Sequence, residues 1–236
     1  MHINLFKKLL LLLGVSLVSK ADIPTSENEQ YIKEIIYSYV RTGFHSISDI
    51  KNIVIETVED NGFEKEFPKS WINSKIKQEH QKLLTESKKW EKPTDVDLLI
   101  KAFNKLMTNG IISLHNAGYT NSDGEEEVRE VVTLLKNKSI KNTIGYCFYH
   151  QQDLERALRP TNPILSLSFG ALNNTTYNTI EIGQKIVNIL QRYHFQVKWN
   201  GSADEKIEII DFKWQKLYNP NVDLADYTQV MKLLPH

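Results

Sequence analysis

The sequence has very little cysteine: Cys147 is the only one in 236 residues. A single cysteine excludes an intrachain disulfide and a zinc site built from cysteine ligands. This usage fits a reducing compartment, but a chain of this length buries enough surface to fold without a crosslink in any compartment. The cysteine content therefore leaves the localisation open.

The sequence also lacks an excess of charge of either sign. Lysine and arginine total 29, aspartate and glutamate total 29, and the formal net charge is zero. Proteins that bind nucleic acid usually carry an excess of basic residues, which neutralise the backbone phosphates. No nucleic-acid partner is therefore expected. Hydrophobic residues make up 41% of the chain, which is typical of a globular protein with a sizeable core.

None of the short motifs that identify common catalytic sites occurs. The sequence has no phosphate-binding glycine loop, no dinucleotide-binding fingerprint, and no HExxH or GxSxG pattern. This weakens an enzymatic interpretation without excluding it. The sequence predicts no bound cofactor.

One pronounced apolar run, from Leu9 to Val18, lies at the N-terminus directly after Lys7 and Lys8. It is too short to span a bilayer comfortably, so no membrane span is predicted. A basic start, an apolar run and small residues before Ala21 predict a secretory signal peptide at residues 1–21. A core helix or an apolar anchor is the alternative. The protein would be periplasmic or secreted if this segment is cut, and cytoplasmic otherwise.

Residues 22–92 show apolar side chains at helical spacing and no strand pattern. Three amphipathic helices are predicted, and their apolar stripes are Ile32, Ile35, Ile36, Tyr39 and Val40; Ile50, Ile53, Val54 and Val58; and Trp71, Ile72, Ile76, Leu83 and Trp90. Lys, Glu and Gln occupy the opposite side of the third helix. We therefore expect an all-helical N-terminal region.

Residues 93–218 alternate between helical patterns and short apolar runs, and a turn-rich tail follows at 219–236. Strands are predicted at 111–115, in the first part of 145–156, and at 164–170, 195–199 and 206–214. The alternation, which ends in a hairpin, predicts an α+β domain: an α/β sandwich with helices packed on a mixed sheet of about five strands. In the last strand, Ile207 and Ile209 are out of phase with Phe212 and Trp214, which predicts a bulge near Ile209-Ile210.

Four polar residues are the candidates for a catalytic site: His115, Asp123, His150 and Asp153. His150 and Asp153 are three residues apart where a strand becomes a helix, a spacing that places both side chains on one helical face. Open α/β sheets bind ligands at the carboxyl ends of their strands. If the first two strands are adjacent and parallel, His115 and His150 lie at the same sheet edge. The alternative is structural: Gln152 or Asp153 caps the helix, and His150 bonds a backbone carbonyl.

Two further features are interpreted as structural. Cys147 lies in the middle of a strand, where a thiol usually packs as a small hydrophobic group. The segment Tyr119–Glu130 resembles a calcium-binding loop, but Tyr119 stands where such a loop needs a carboxylate. An Asp-Gly turn before an acid-rich helix start explains the same residues. No metal site is predicted.

The C-terminal hairpin is rich in aromatic residues: Trp199, Phe212, Trp214 and Tyr218. Most of these are expected in the core. Any that are exposed on the hairpin would form a protein-binding surface.

Several segments resemble a bacterial family catalogued as a domain of unknown function, DUF6891. They are 94–124, which ends in His-Asn-Ala-Gly-Tyr-Thr-Asn-Ser-Asp-Gly; Gly-Tyr-Cys-Phe-Tyr-His-Gln-Gln-Asp-Leu-Glu-Arg-Ala from Gly145; Leu-Ser-Phe-Gly from Leu167; Trp-Asn-Gly-Ser from Trp199; and 209–215. The resemblance covers residues 70–216 in matching order. It implies a bacterial source and a single α/β unit, and it transfers no catalytic residue because the family carries no established activity.

Two functions remain open. The first is a non-catalytic protein-binding module, such as an immunity or antitoxin-type protein that neutralises a cognate toxin. The neutral charge, the missing catalytic motifs and the additional helical surface favour it. The alternative is a hydrolase or metal-dependent enzyme that uses His115, Asp123, His150 and Asp153.

Overall fold

A computed structural model describes residues 26–138, 142–172, 177–227 and 232–235. The predicted signal peptide at 1–21 lies outside these ranges. Of the described residues, those up to Val40 together with His45–Leu83 form one compact unit, and Arg41–Phe44 together with those from Leu84 onward form a second. No helix within these ranges has both the length and the hydropathy that crossing a bilayer requires.

The first unit is helical, as the spacing of its apolar residues predicts. Its helices are α1 (Glu27–Thr42), α2 (Ile47–Asp60) and α3 (Lys69–Ser87), and the last residues of α1 and α3 belong to the second unit. The buried side chains recur every three or four residues and include Ile32, Ile36, Val40, Ile50, Val54, Val58, Ile72 and Ile76. The predicted helical N-terminal region is therefore confirmed.

The second unit alternates helices and strands. In chain order they are α4 (Asp95–Thr108), β1 (Ile111–Leu114), α5 (Asn121–Asn137), β2 (Gly145–Phe148), α6 (Gln151–Ala157), β3 (Ile164–Ala171), α7 (Thr179–Arg192), β4 (Val197–Lys198) and β5 (Ile207–Ile210). The strand order is β1-β2-β3-β5-β4, with β1 and β2 parallel and the remaining pairs antiparallel. The predicted α+β class and five-stranded mixed sheet are confirmed.

Each helix of this second unit begins with a capping box, in which the residue before the helix and the third helical residue bond each other's backbone N–H. The pairs are Thr94 with Asp97, Thr120 with Asp123, His150 with Asp153, and Asn178 with Glu181. These bonds satisfy backbone donors that would otherwise be unpaired. They determine where the chain turns into each helix.

The sheet buries a hydrophobic core on each face. The larger core packs α4, α6 and α7 against side chains that include Cys147, Leu165, Leu167, Ile207 and Ile209. The smaller core packs α5 against Ile112, Leu114 and Phe148. α5 approaches β2 so closely that a Cβ on Gly124 would overlap the ring of Phe148.

The bulge predicted near Ile209-Ile210 is wrong: the pairing with β3 is regular through Ile210, and Asp211 breaks the alternation instead. β5 ends at Ile210, and Asp211 adopts a left-handed conformation with φ 57°. This one residue shifts the phase, so that Phe212 and Trp214 are buried as Ile207 and Ile209 are. Phe212 therefore remains in the large core after the strand has ended.

The loop between β1 and α5 supplies a test of the packing. Gly118 has φ 64°, and a Cβ there would overlap the Cβ of Asp123. We expect Gly118→Ala to lower the free energy of unfolding by about 3 kcal/mol, from left-handed strain and overpacking together. Gly201 is the matched control, because it has φ 84° with nothing near the added carbon. Gly201→Ala should cost about 1 kcal/mol, from strain alone. Urea unfolding followed by circular dichroism measures both, and equal losses would contradict the overlap.

Candidate functional site

The loops that follow β1 and β2 lie side by side. Backbone bonds join them: Ala117 N donates to Tyr149 O at 2.9 Å, and Gln151 N donates to Gly118 O at 3.0 Å. The two strands are parallel neighbours, so their loops leave the same sheet edge, as we expected. This pairing sets the start of α6 against the loop that leads into α5.

A buried carboxylate with two cations lies at this edge. Asp153 is 0% exposed. Lys206 Nζ donates to its Oδ1 at 3.0 Å and to its Oδ2 at 2.8 Å, and an Arg156 guanidinium nitrogen donates to Oδ1 at 2.9 Å. A buried carboxylate is costly unless it is paired and hydrogen-bonded, and both conditions are met here. The contact ties α6 to the residue that precedes β5.

His150 completes this group. Its Nε2 lies 2.9 Å from Lys206 Nζ and 3.1 Å from Asp153 Oδ2. In the tautomer with the ring proton on Nδ1, Nε2 accepts from Lys206; in the other tautomer, Nε2–H donates to Asp153. The capping contact from Asp153 N to Nδ1 is longer, at 3.4 Å. Asp153 N also donates to His150 O at 3.0 Å.

Electrostatics keep His150 neutral. Burial lowers the pKa of its imidazole to about 4. The positive charges of Lys206 and Arg156 lower it further, because protonation would place a third positive charge beside them. The carboxylates of Asp153 and Asp123 oppose this shift. We call His150, Asp153, Arg156 and Lys206 the Asp153 cluster.

His115 packs among aromatic side chains at this edge. Side chains alternate along a strand, and Leu114 belongs to the smaller core, so the next residue turns toward the larger one. There the ring of His115 stacks on Phe103 at 4.5 Å between centroids, and its Nδ1 lies 3.0 Å from the hydroxyl of Tyr149. Burial, and then the charge of Lys216, lowers the pKa of His115 to about 3. The shared edge is as predicted, but His115 does not join the Asp153 cluster.

Asp123 is used to start a helix. Its Oδ2 accepts from Thr120 N at 2.8 Å and from Tyr119 N at 3.2 Å. These hydrogen bonds, first those of Thr120, lower the pKa of its carboxyl group. Asp123 lies within electrostatic range of His150. The four candidates therefore divide: His150 and Asp153 touch, Asp123 is nearby in a cap, and His115 lies apart.

Cys147 lies in the larger core, as its place in the strand predicts. The side chain is fully buried, and burial raises the pKa of its thiol to about 12. A thiol needs a low pKa and access to solvent to act as a nucleophile. Cys147 has neither.

A metal-binding donor set is not assembled in the part of the chain that the structure describes. No three His, Cys, Asp or Glu side chains converge there. The segment that resembles a calcium loop is helical from Asn121 onward, so its residues cannot wrap around an ion. The structural interpretation of Tyr119–Glu130 accounts for this geometry.

Arg156 and Lys206 are members of the Asp153 cluster that are not among the candidates named from the sequence. Arg156 is three residues after Asp153 on α6, a spacing that signals a same-face ion pair. Lys206 is 56 residues from His150 along the chain. No local pattern predicts that contact, because it depends on the antiparallel pairing of β5 with β3.

The model of one protein family, described as "Domain of unknown function (DUF6891)", matches residues 25–218. The chain belongs to this family. The match extends the resemblance at 70–216 toward the N-terminus, so that the helical region is included. No curated protein and no solved structure matches the chain. DUF6891 membership therefore assigns no reaction to the Asp153 cluster.

Replacing Asp153 tests whether the cluster holds the fold together. Asp153→Asn should lower the free energy of unfolding by about 3 kcal/mol, because Lys206 and Arg156 would lose their buried counter-charge. Asp123→Asn is the matched control, since Asp123 has the same capping position without a buried cation pair. Its loss should be clearly smaller in urea unfolding. Equal losses would show that the cap, not the charge pairing, is what matters at Asp153.

The two histidines predict acid sensitivity. Folded His150 and His115 bind protons with pKa values of about 4 and about 3, against 6.5 unfolded. The unfolded chain takes up protons first, so stability is present above pH 6.5 and is lost as the pH falls toward these folded values. Each histidine contributes a slope of about 1.4 kcal/mol per pH unit inside its window.

His150→Asn isolates the share of one histidine and keeps a favourable capping residue. The stability difference between wild type and variant should shrink as the pH is lowered from 6.5 to 4.5, in urea unfolding at fixed ionic strength. A difference that does not change with pH would contradict a neutral, buried His150.

Proposed function

We propose that this protein is a non-catalytic protein-binding module of the immunity type, which neutralises a cognate toxin by binding to it. One observation carries the proposal: the side chains that could perform chemistry are occupied in holding the fold. Asp153 is 0% exposed and is bonded to two cations, and His150 is 3% exposed against one of them. A general acid or base must reach its substrate, and these groups do not reach solvent.

The surface offers a place for a protein partner. Among the described residues, the large hydrophobic side chains that are exposed are Tyr37, Leu134, Tyr177, Ile180, Leu217, Tyr218 and Val222. Three of them fall within residues 217–222, which we call the apolar segment. Tyr218, at 44% exposed, is the one aromatic residue of the C-terminal hairpin region that is turned outward, whereas Phe212 and Trp214 are buried.

The apolar segment has a defined shape. Val222 N donates to Asn219 O at 3.1 Å, which closes a turn between Tyr218 and Val222. The chain just before it is anchored, because Trp214 is buried and its Nε1 donates to Thr42 O at 3.1 Å. Exposed aromatic side chains on an anchored backbone lose little entropy when they bind, and such residues dominate protein interfaces.

The predicted compartment and the net charge are compatible with this function. A signal peptide at residues 1–21, if cut, places the protein in the periplasm or outside the cell, where an immunity protein meets an incoming toxin. The alternative is a cytoplasmic antitoxin. The zero net charge favours a protein partner over nucleic acid.

The test uses the product of the neighbouring gene. We expect that product to arrest growth when it is expressed alone, and co-expression of this protein should restore growth. The two purified proteins should co-elute in size-exclusion chromatography. If the neighbouring product is harmless and the two proteins elute separately, the immunity function is wrong.

Tyr218→Asp tests the surface. The variant should weaken the complex at least tenfold, about 1.4 kcal/mol, because a charge would be buried in an apolar contact. Leu134→Asp is the matched control, since Leu134 is a similarly exposed side chain on α5. Titration calorimetry measures both affinities. An equal effect of the two variants would exclude the apolar segment as the binding site.

The alternative is a hydrolase that uses His150 and Asp153. It is favoured by the contact between Lys206 and the ring of His150, since titratable side chains beside a charged partner are common in active sites. It requires His150→Asn to abolish an activity while stability at neutral pH is kept. The burial of both side chains favours the binding function.

A further inference from the structure

The sequence contains three Asn-Gly dipeptides: Asn61-Gly62, Asn109-Gly110 and Asn200-Gly201. Such a dipeptide can react with itself, because the backbone nitrogen of the glycine can close a five-membered ring on the side-chain carbonyl carbon of the asparagine. Glycine favours this reaction, since it has no Cβ to shield its nitrogen. In the folded protein, the reaction also requires that both reacting groups are free.

Asn61 and Gly62 lie at the end of α2, where both reacting groups are hydrogen-bonded. Asn61 Nδ2 donates to Thr57 O at 2.8 Å. Gly62 N donates to Glu59 O at 3.0 Å. The nitrogen that would attack and the amide that would leave are therefore both held by the helix end, and each bond must be broken before the ring can close.

Asn109 and Gly110 are held in the same way at the end of α4. Asn109 Nδ2 donates to Lys105 O at 2.6 Å, and Gly110 N donates to Met107 O at 2.9 Å. The space around the glycine is also restricted, since a Cβ on Gly110 would lie 2.5 Å from Asn142 O. This second dipeptide is therefore protected by the fold as well.

Asn200 and Gly201 lie in the loop between β4 and β5, and their surroundings are different. Neither Gly201 N nor Asn200 Nδ2 donates a hydrogen bond to another described residue. The Asn200 side chain is exposed, and no atom from beyond its two chain neighbours would lie within 4 Å of a Cβ on Gly201. Both reacting groups are free, and the loop leaves room for a ring.

One hydrogen bond favours the reaction at this position. Ser202 N donates to Asn200 Oδ1 at 2.9 Å. This bond closes an Asx turn, a ring of atoms that contains both the Asn200 Cγ and the Gly201 nitrogen, so the side chain is turned toward the peptide bond that it reacts with. The same N–H stabilises the negative charge that develops on Oδ1 when the nitrogen adds to Cγ.

We propose that Asn200 is a modification site, at which the asparagine is converted into aspartate and isoaspartate through a succinimide, with water as the only co-reactant. Gly201 N bonds to the Asn200 Cγ, and the bond from Cγ to Nδ2 breaks. Nδ2 leaves as ammonia with the electron pair and takes the proton from Gly201 N. Water then adds OH to one carbonyl carbon of the ring and returns a proton to Gly201 N. Opening at Cγ gives aspartate, and opening at the main-chain carbon gives isoaspartate.

Either product changes the loop. A carboxylate replaces a neutral amide, so the formal net charge of the chain falls from zero by one unit. Isoaspartate also lengthens the main chain by one methylene group between Trp199 and Ser202, which are joined by a bond from Trp199 Nε1 to Ser202 O at 3.0 Å. The Trp199 ring packs edge-on against Phe169, with centroids 5.6 Å apart, so the longer chain acts on a contact of the larger core. The reaction needs no partner and is independent of the proposed function.

The experiment incubates the full folded chain at pH 8 and 37 °C, and peptide mass spectrometry follows the conversion of each asparagine. We expect Asn200 to convert at least about tenfold faster than Asn61 and Asn109, because each of these must first break two hydrogen bonds. The same incubation in urea should bring the three rates close together, since the unfolded chain has none of these bonds.

Two variants assign the fast conversion. Asn200→Gln should remove it, because glutamine would have to close a six-membered ring, which forms more slowly. Asn61→Gln is the matched control and should leave the fast conversion unchanged.

Two results would overturn the inference. One is a rate at Asn200 in the folded chain that is equal to or below the rates at Asn61 and Asn109. The other is a fast conversion that remains in Asn200→Gln, which would assign it to a different asparagine.

Discussion

The buried carboxylate of Asp153 is the constraint on which the arrangement around the sheet edge depends. It has no contact with water, so it must be neutralised within the protein. Lys206 comes from the start of β5 and Arg156 from α6, while His150 leaves the end of β2. One charged group thereby joins three segments that are distant in the sequence. The backbone pairing of the two loops brings α5 to the same place.

The candidate catalytic residues all have structural contacts. A histidine beside an aspartate resembles part of a proton relay, but here the ring also contacts Lys206, and burial lowers its pKa to about 4. His115 is enclosed by Phe103 and Tyr149, and Cys147 is in the larger core. These side chains therefore contribute to the packing of this DUF6891 member. Among the described residues, the exposed large hydrophobic side chains include those of the apolar segment.

Much of the fold could be predicted because its signals are local. The helical spacing of Ile32, Ile36 and Val40 needs only neighbours on one helix, and the capping box of Thr120 with Asp123 spans three residues. The pairing of His150 with Asp153 is local in the same way. The phase change in the last strand was visible as a conflict between apolar residues, but its position at Asp211 was not, since a left-handed residue leaves no fixed pattern.

The sequence by itself determined the elements and the class of fold, whereas the strand order that gives His115 and His150 a common sheet edge came from the tertiary structure. Only the tertiary structure decided what each of these side chains meets. One reason is that a shared sheet edge does not fix the contacts made there: His115 stacks on Phe103, whereas His150 contacts Asp153 and Lys206. The other is sequence distance. The partner of Asp153 is Lys206, which is brought there by the pairing of β5 with β3, and a contact made through a sheet is specified by all of its strands together.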